Sequence, residues 1–251
     1  LEWRRDRATA EEAAAYAIQA FAEARAADIE RFIFFRTHDD VMEWAELNDT
    51  IFYQHFGLID NDLTLRPAYH AFGVTAHYLQ GENQVTGPFT HGGIRRITFW
   101  ATPRGRVDVL WNTAGAPVTY SHPAVLPTAT LIDVRGQTMP LTATDGAFTL
   151  TLPGATANNS ADGRFLIGGA PLLVLQEDTL PPTATLHPLP ELVGTPNLTL
   201  TWDVVDPGSG YWYAEIARST APGGPWHVVA GVGQLHQLWI FLLEQPQLGG
   251  H

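Results

Sequence analysis

From about residue 10 to residue 27, apolar positions recur at helical spacing, with Ala13, Ala17, Ala20, Phe21 and Ala24 on one face. Thr9 followed by Glu12 is a capping-box pattern and marks the start of that helix. Asp28-Ile29-Glu30 then leads into Arg31-Phe32-Ile33-Phe34-Phe35-Arg36, a run apolar on both faces. Such a strand belongs inside a parallel sheet, where neighbours on either side take its N–H and C=O groups. No parallel partner for it is visible in this sequence. The run ends at Thr37-His38-Asp39-Asp40, and a loop continues to Asp62 with a short helix expected around residues 42–47. A second helix begins at Arg66-Pro67, where Pro suits the first helical position. It places Tyr69, Phe72, Ala76 and Leu79 on one stripe, and Gly81 ends it.

Beyond Gly81 the pattern changes to short alternating runs over residues 95–101, 106–112, 117–121, 129–134, 147–152 and 171–176. Turn signals at Arg135-Gly136 and Asp145-Gly146 separate them, which predicts an antiparallel sandwich. Pro181-Pro182 opens a third unit with strands expected at residues 198–204 and 211–218, around the turn Asp206-Pro207-Gly208-Ser209-Gly210. Trp202 and Trp226 are its expected core anchors. From Gln234 to His251 the alternation fades. The predicted organisation is therefore 1–80, 81–177 and 178–251, multidomain and mainly β.

The chain has 251 residues, 23 Gly and 18 Pro, which fits this punctuation into short segments. Its 14 basic and 26 acidic residues give a formal charge of −12, which argues against nucleic acid and anionic membranes as partners. Zero cysteines exclude disulfides, thiolate catalysis and Cys-ligated zinc. Ten histidines lie without ligand spacing, so no metal is expected, and no phosphate loop, dinucleotide fingerprint or nucleophile elbow calls for a cofactor.

The segments Ala8-Thr9-Ala10-Glu11-Glu12-Ala13-Ala14-Ala15-Tyr16, Arg36-Thr37-His38-Asp39-Asp40, Phe56-Gly57-Leu58-Ile59 and Leu65-Arg66-Pro67-Ala68-Tyr69 resemble the end of clan A glycoside hydrolases of the family 39 type. Helix, strand and helix are then the seventh helix, eighth strand and eighth helix of a (β/α)8 barrel. Asp108-Val109-Leu110-Trp111-Asn112-Thr113 and Ile167-Gly168-Gly169-Ala170-Pro171-Leu172-Leu173-Val174 resemble the sandwich that follows such barrels. Trp202, Asp206, Ser209-Gly210 and Tyr213 are similar to bacterial fibronectin type III or immunoglobulin-like modules. The fold class implied is a terminal helix-strand-helix piece of a (β/α)8 barrel, an antiparallel β-sandwich and a partial fibronectin-like β-sandwich.

The resemblance also implies a retaining glycosidase, with one Glu as acid/base after strand four and one as nucleophile after strand seven, about 5 Å apart. The first would precede Leu1. Glu2 is the one residue here that meets the position of the second, although the spacer from Trp3 to Arg7 is short for that loop. Barrel enzymes build their sites at the C-terminal ends of strands, so Arg36, His38, Asp39 and Asp40 are candidates for contact with a sugar. Trp44, His55 and Phe56 in the next loop are candidates for stacking on a pyranose face. An Arg–Asp pair closing the rim is an equally ordinary outcome there.

Two readings follow. The first is the C-terminal part of a secreted glycoside hydrolase acting on plant-type polysaccharide or oligosaccharide, inactive alone, with carbohydrate as partner and an extracellular location implied by the resemblance. The second is a non-catalytic carbohydrate-binding or spacer protein, in which Trp100, Trp111 and Tyr120 would matter if exposed. The unpaired run Phe32 to Phe35 also offers an edge for self-association.

Overall fold

The computed structural model describes residues 8–34, 37–39, 57–81, 84–102, 105–156, 165, 167–178, 183–188, 200–206, 212–219, 221 and 224–243. The chain divides into two compact units, Leu1–Glu177 and Asp178–His251.

The first unit begins with helix α1, Ala10–Ala26. Its capping box is complete: Glu12 N–H donates to the Thr9 hydroxyl at 3.1 Å, and Thr9 N–H donates to the Glu12 carboxylate at 2.7 Å. Helix α2 spans Pro67–Tyr78, with Pro in its first turn. Eight strands follow: β1 Val85–His91, β2 Ile94–Thr102, β3 Gly105–Asn112, β4 Val118–Pro123, β5 Thr128–Ile132, β6 Thr138–Thr142, β7 Ala147–Leu152 and β8 Leu172–Glu177. Six of them form one antiparallel sheet in the order β1-β2-β3-β8-β5-β6, and β4 pairs with β7 in a second.

The large sheet is covered on both faces. Ile97, Phe99, Val107, Val109, Leu173 and Leu175 share a core with Ala14, Ile18 and Ala22 of α1 and Ala71 and Val74 of α2. Leu110 and Val174 point the other way, into a core with Phe148, Leu150 and Leu152 of β7. Strand β3 is consequently buried at every position, as a central strand between two covers must be. The mainly β architecture with antiparallel sheets thus forms as the alternation predicts, with β1 and β6 in addition.

Both helices bury a face that matches the expected one only in part: Ala17 and Ala24 of α1 and Leu79 just after α2 are buried as expected, and Phe21 packs against the core. In α1 the buried positions centre on Ala14, Ile18 and Ala22, and include the polar Glu12 and Gln19, while Ala13, Ala20 and Phe21 are only partly buried. In α2 the small residues Ala68, Ala71, Val74 and Thr75 turn inward, whereas Tyr69 and Phe72 each remain 39% exposed. Close approach of helix and sheet selects small side chains at the contact, so the bulky stripe is left on the other side.

The apolar run after α1 also departs from expectation. Residues 31–34 lie outside every sheet, and Ile33 is 85% exposed; Phe35 and Arg36 lie outside the described residues. A strand without a neighbour has no ladder to join. Phe32 instead meets Phe21 edge-on at 6.4 Å, and Phe34 meets Phe72 at 6.1 Å.

In the second unit β9 Thr183–Leu186 pairs antiparallel with β10 Trp202–Val205, and β11 Trp212–Ser219 pairs with β12 His227–Leu243. Trp202 and Trp226 are partly buried rather than fully enclosed. Strand β12 runs through much of the stretch from Gln234 in which alternation fades.

Candidate functional site

Three residues that follow the irregular run, Thr37, His38 and Asp39, pair with the segment that precedes α2. Asp39 N–H donates to Ile59 C=O at 3.0 Å, and Ile59 N–H donates to Thr37 C=O at 2.9 Å, so His38 and Ile59 pair in parallel. Arg66 N–H then bonds Leu58 C=O at 3.0 Å, placing the start of α2 beside this pair.

Asp39 turns inward and is buried. Its carboxylate accepts Gly57 N–H at 2.6 Å and pairs with the Arg66 guanidinium, whose same Nη2 lies 3.2 Å from Asp60 Oδ2. Gly57 is required here, because a Cβ would fall 2.6 Å from both the Asp39 backbone nitrogen and its carboxylate. Two carboxylates therefore flank one nitrogen of a cation. A retaining pair needs the space between its carboxyl groups for the anomeric carbon, and in this arrangement the guanidinium fills it. The Arg–Asp pair is a structural clasp.

His38 is exposed, with Nδ1 2.7 Å from the Asp39 backbone oxygen, which leaves Nε2 toward solvent. Glu2, Arg36, Asp40, Trp44, His55 and Phe56 lie outside the described residues. Among the described residues no cluster of three or more His, Asp or Glu has metal-ligand geometry, and no helix is long and apolar enough to cross a membrane. Of the aromatics that a binding face would use, Trp111 is buried. Trp100 is partly buried, its Nε1 donating to the Thr86 hydroxyl at 2.9 Å and Arg106 stacked on its ring at 4.5 Å, and Tyr120 packs on the inter-sheet core. Phe89, which sequence reading missed, is half exposed with the Arg96 guanidinium 5.1 Å above its ring.

A second polar cluster, unforeseen from the sequence, sits between the two sheets. Asp108 on β3 is fully buried and accepts from the Thr98 hydroxyl at 2.5 Å and from Arg106 Nη2 at 3.1 Å. Its other oxygen lies 3.0 Å from Arg106 Nε and 3.1 Å from His122 Nε2 on β4. Burial pushes this carboxyl up, but the His122 hydrogen bond, the charges of Arg106 and His122 and the Thr98 hydroxyl together outweigh it and hold the group below its ordinary value. Period-two alternation marks Asp108 as inward-facing, but nothing in the sequence pairs it with His122.

A third set fixes α1 to the sandwich. Gln19, buried, donates to Gly169 C=O at 2.9 Å and accepts Gly168 N–H at 3.0 Å. Glu12 accepts the Thr156 hydroxyl at 2.5 Å, Glu23 pairs with Arg95, and Glu11 pairs with Arg135. The loop that Gln19 grips is tightly packed, since a Cβ on Gly169 would overlap the Pro153 carbonyl and one on Gly168 would overlap the Trp111 ring.

No family model matches the chain, and no curated protein matches it. Among solved structures it is similar to a family 39 glycoside hydrolase from the gut symbiont Bacteroides cellulosilyticus WH2, at 22% identity over 64% of this chain and 29% of that one, with a TM-score of 0.45. It is similar also to a family 30 endoxylanase from Clostridium papyrosolvens C71, at 14% identity over 58% of this chain and 40% of that one, TM-score 0.37. A family 30 subfamily 8 xylanase from Clostridium acetobutylicum matches at 11% identity over 60% of this chain and 44% of that one, TM-score 0.36. These structural neighbours are glycoside hydrolases. The chain spans less than half the length of each.

Proposed function

We propose that residues 1–177 are the C-terminal portion of a retaining glycoside hydrolase with its trailing sandwich, and that this chain alone does not hydrolyse glycosides. The observation that carries the reading is the second apolar face of α2. The helix buries Ala68, Ala71 and Val74 in the sandwich core, yet keeps Tyr69 and Phe72 on its other side at 39% exposure, next to the apolar run with Ile33 at 85%. A helix that is apolar on two faces is suited to two covers, and in a barrel the strands supply one of them. The parallel pairing of His38 with Ile59 at the end of the same run fits the exit of a barrel strand.

In that reading His38, with Arg36, Asp40 and Trp44 from the notional strand exit, contacts a plant-type polysaccharide or oligosaccharide, and Glu2 stands where the nucleophile would be sought. The protein is secreted, and residues 178–251 form a fibronectin type III-like module. Catalysis requires both carboxylates and the strands that hold them. The test is hydrolysis of aryl xylosides and glucosides by the purified chain. No turnover above the buffer rate is expected; turnover abolished by Glu2→Gln refutes the reading.

A second reading, a non-catalytic carbohydrate-binding module, is favoured by Phe89, whose ring is half exposed and backed by Arg96. Retention of the chain on insoluble xylan or cellulose, lost in Phe89→Ala, would select it.

A further inference from the structure

The inter-sheet cluster joins two sheets through one carboxylate. Among the described residues, Asp108 is the only carboxylate within ion-pair distance of either Arg106 or His122. The other groups facing it are neutral: the Thr98 hydroxyl from β2, the Tyr120 ring 6.0 Å from His122 on β4, Gln176 on β8 opposite Arg106, and Phe148 on β7 opposite His122. Gln176 uses its oxygen on Val125 and Leu126 N–H, at 2.8 and 2.9 Å. His122 Nδ1 is buried with no hydrogen-bond partner, so a second proton on that ring has nothing to bond.

We propose that the Asp108–His122 contact is an acid-operated clasp: protonation of Asp108 leaves Arg106 and His122 as two buried cations and releases the β4–β7 sheet, while α1, α2 and the large sheet stay folded. Like charges in a buried site repel strongly, and among the described residues the covering sheet has two strands, too few to be stable by themselves once detached. The sign follows from the ion pair. A carboxylate stabilised in its charged form adds stability above its unfolded value, about pH 4, and that stability is lost as the pH falls through the folded value.

The test is amide hydrogen exchange by NMR on the full chain from pH 8 to pH 3, corrected for intrinsic rates. Below about pH 4, Tyr120 and Leu150 are expected to lose protection at least tenfold more than Val109 and Ile18. In Asp108→Asn the counter-charge to Arg106 is absent at every pH, so the opening begins at a higher pH than in the wild type. In His122→Gln an amide keeps a bond to Asp108 without a second cation, and the opening moves below that of the wild type. Loss of protection in β4–β7 only in step with Val109 and Ile18 overturns the proposal, as does an Asp108→Asn midpoint equal to the wild type's. Should Asp108→Asn not fold at pH 8, His122→Gln decides: a midpoint unchanged or raised also overturns it.

Discussion

Replacing Gln19 with Leu tests whether α1 is oriented by the sandwich or merely rests on it. The amide of Gln19 serves two backbone groups, Gly168 N–H and Gly169 C=O, at 3.0 and 2.9 Å inside the core. Leu fills much of the same volume but bonds neither. A buried polar group left unpaired costs about 1–3 kcal/mol, and the added apolar burial of Leu returns part of it, so the net loss is about 2–4 kcal/mol. For a unit of this size, 1 kcal/mol corresponds to roughly 2–4 °C in Tm, and a loss near about 3 kcal/mol lowers the first calorimetric transition by roughly 6–12 °C. Glu23→Gln is the control. It removes a pair on the same helix, Arg95–Glu23, whose side chains are 30% and 36% exposed, and such pairs contribute about 0–1 kcal/mol. If Gln19→Leu stays within about 0.5 kcal/mol of wild type, or shifts the transition no more than Glu23→Gln, the argument that this amide sets the helix is wrong.

Other outcomes are expected from the same contacts. Gly169→Ala drives its Cβ into the Pro153 backbone carbonyl, which cannot swing aside as a flexible side chain could, and lowers stability by about 1–3 kcal/mol or more, read by urea unfolding. Asp39→Asn keeps an acceptor for Gly57 N–H but removes the charge that faces Arg66. With Asp60 still 3.2 Å away, the loss is about 2–3 kcal/mol, somewhat below that for breaking a fully isolated buried pair. Glu12 is pushed up by burial but held below its ordinary value by the hydroxyl of Thr156 and by Thr9, so it contributes stability above about pH 4.5 that fades as the pH falls. Glu12→Gln therefore flattens the acid limb of a Tm-against-pH profile. Ile33→Asp, at an 85% exposed position, leaves Tm within about 1–2 °C of wild type and shifts any concentration-dependent species in size-exclusion chromatography toward monomer; an unaltered profile rejects self-association through this run.

The start of α1 was legible because a capping box is local: Thr9 and Glu12 satisfy each other within one turn. Strands β4 and β7 were legible through alternation, since one face of each meets a core, and β3 and β8 as apolar runs buried on both faces. Strands β1 and β6 escaped notice because Gly87-Pro88 and Pro140 interrupt them; both are edge strands of the large sheet, where Pro is tolerated. The Asp39–Arg66 clasp was not legible, because its two residues lie 27 positions apart and no local pattern joins them. The same holds for Gln19 and Gly169, separated by 150 residues.

The deeper difference lies in α2 and residues 31–34. Tyr69 and Phe72 read as core because they fall with Ala76 and Leu79 on one helical stripe, and Phe32 and Ile33 because their run is apolar on both faces. In the folded unit Leu79 of that stripe is buried, but the other contacts go to Ala68, Ala71 and Val74, whose small side chains meet the sheet. Hydrophobic periodicity reports how many faces of an element are made for burial, and α2 has two. The small face is spent on the sandwich. The aromatic face, together with the run that touches it through Phe34, is the surplus, and a surplus of this kind is expected when an element was shaped by two neighbours rather than one.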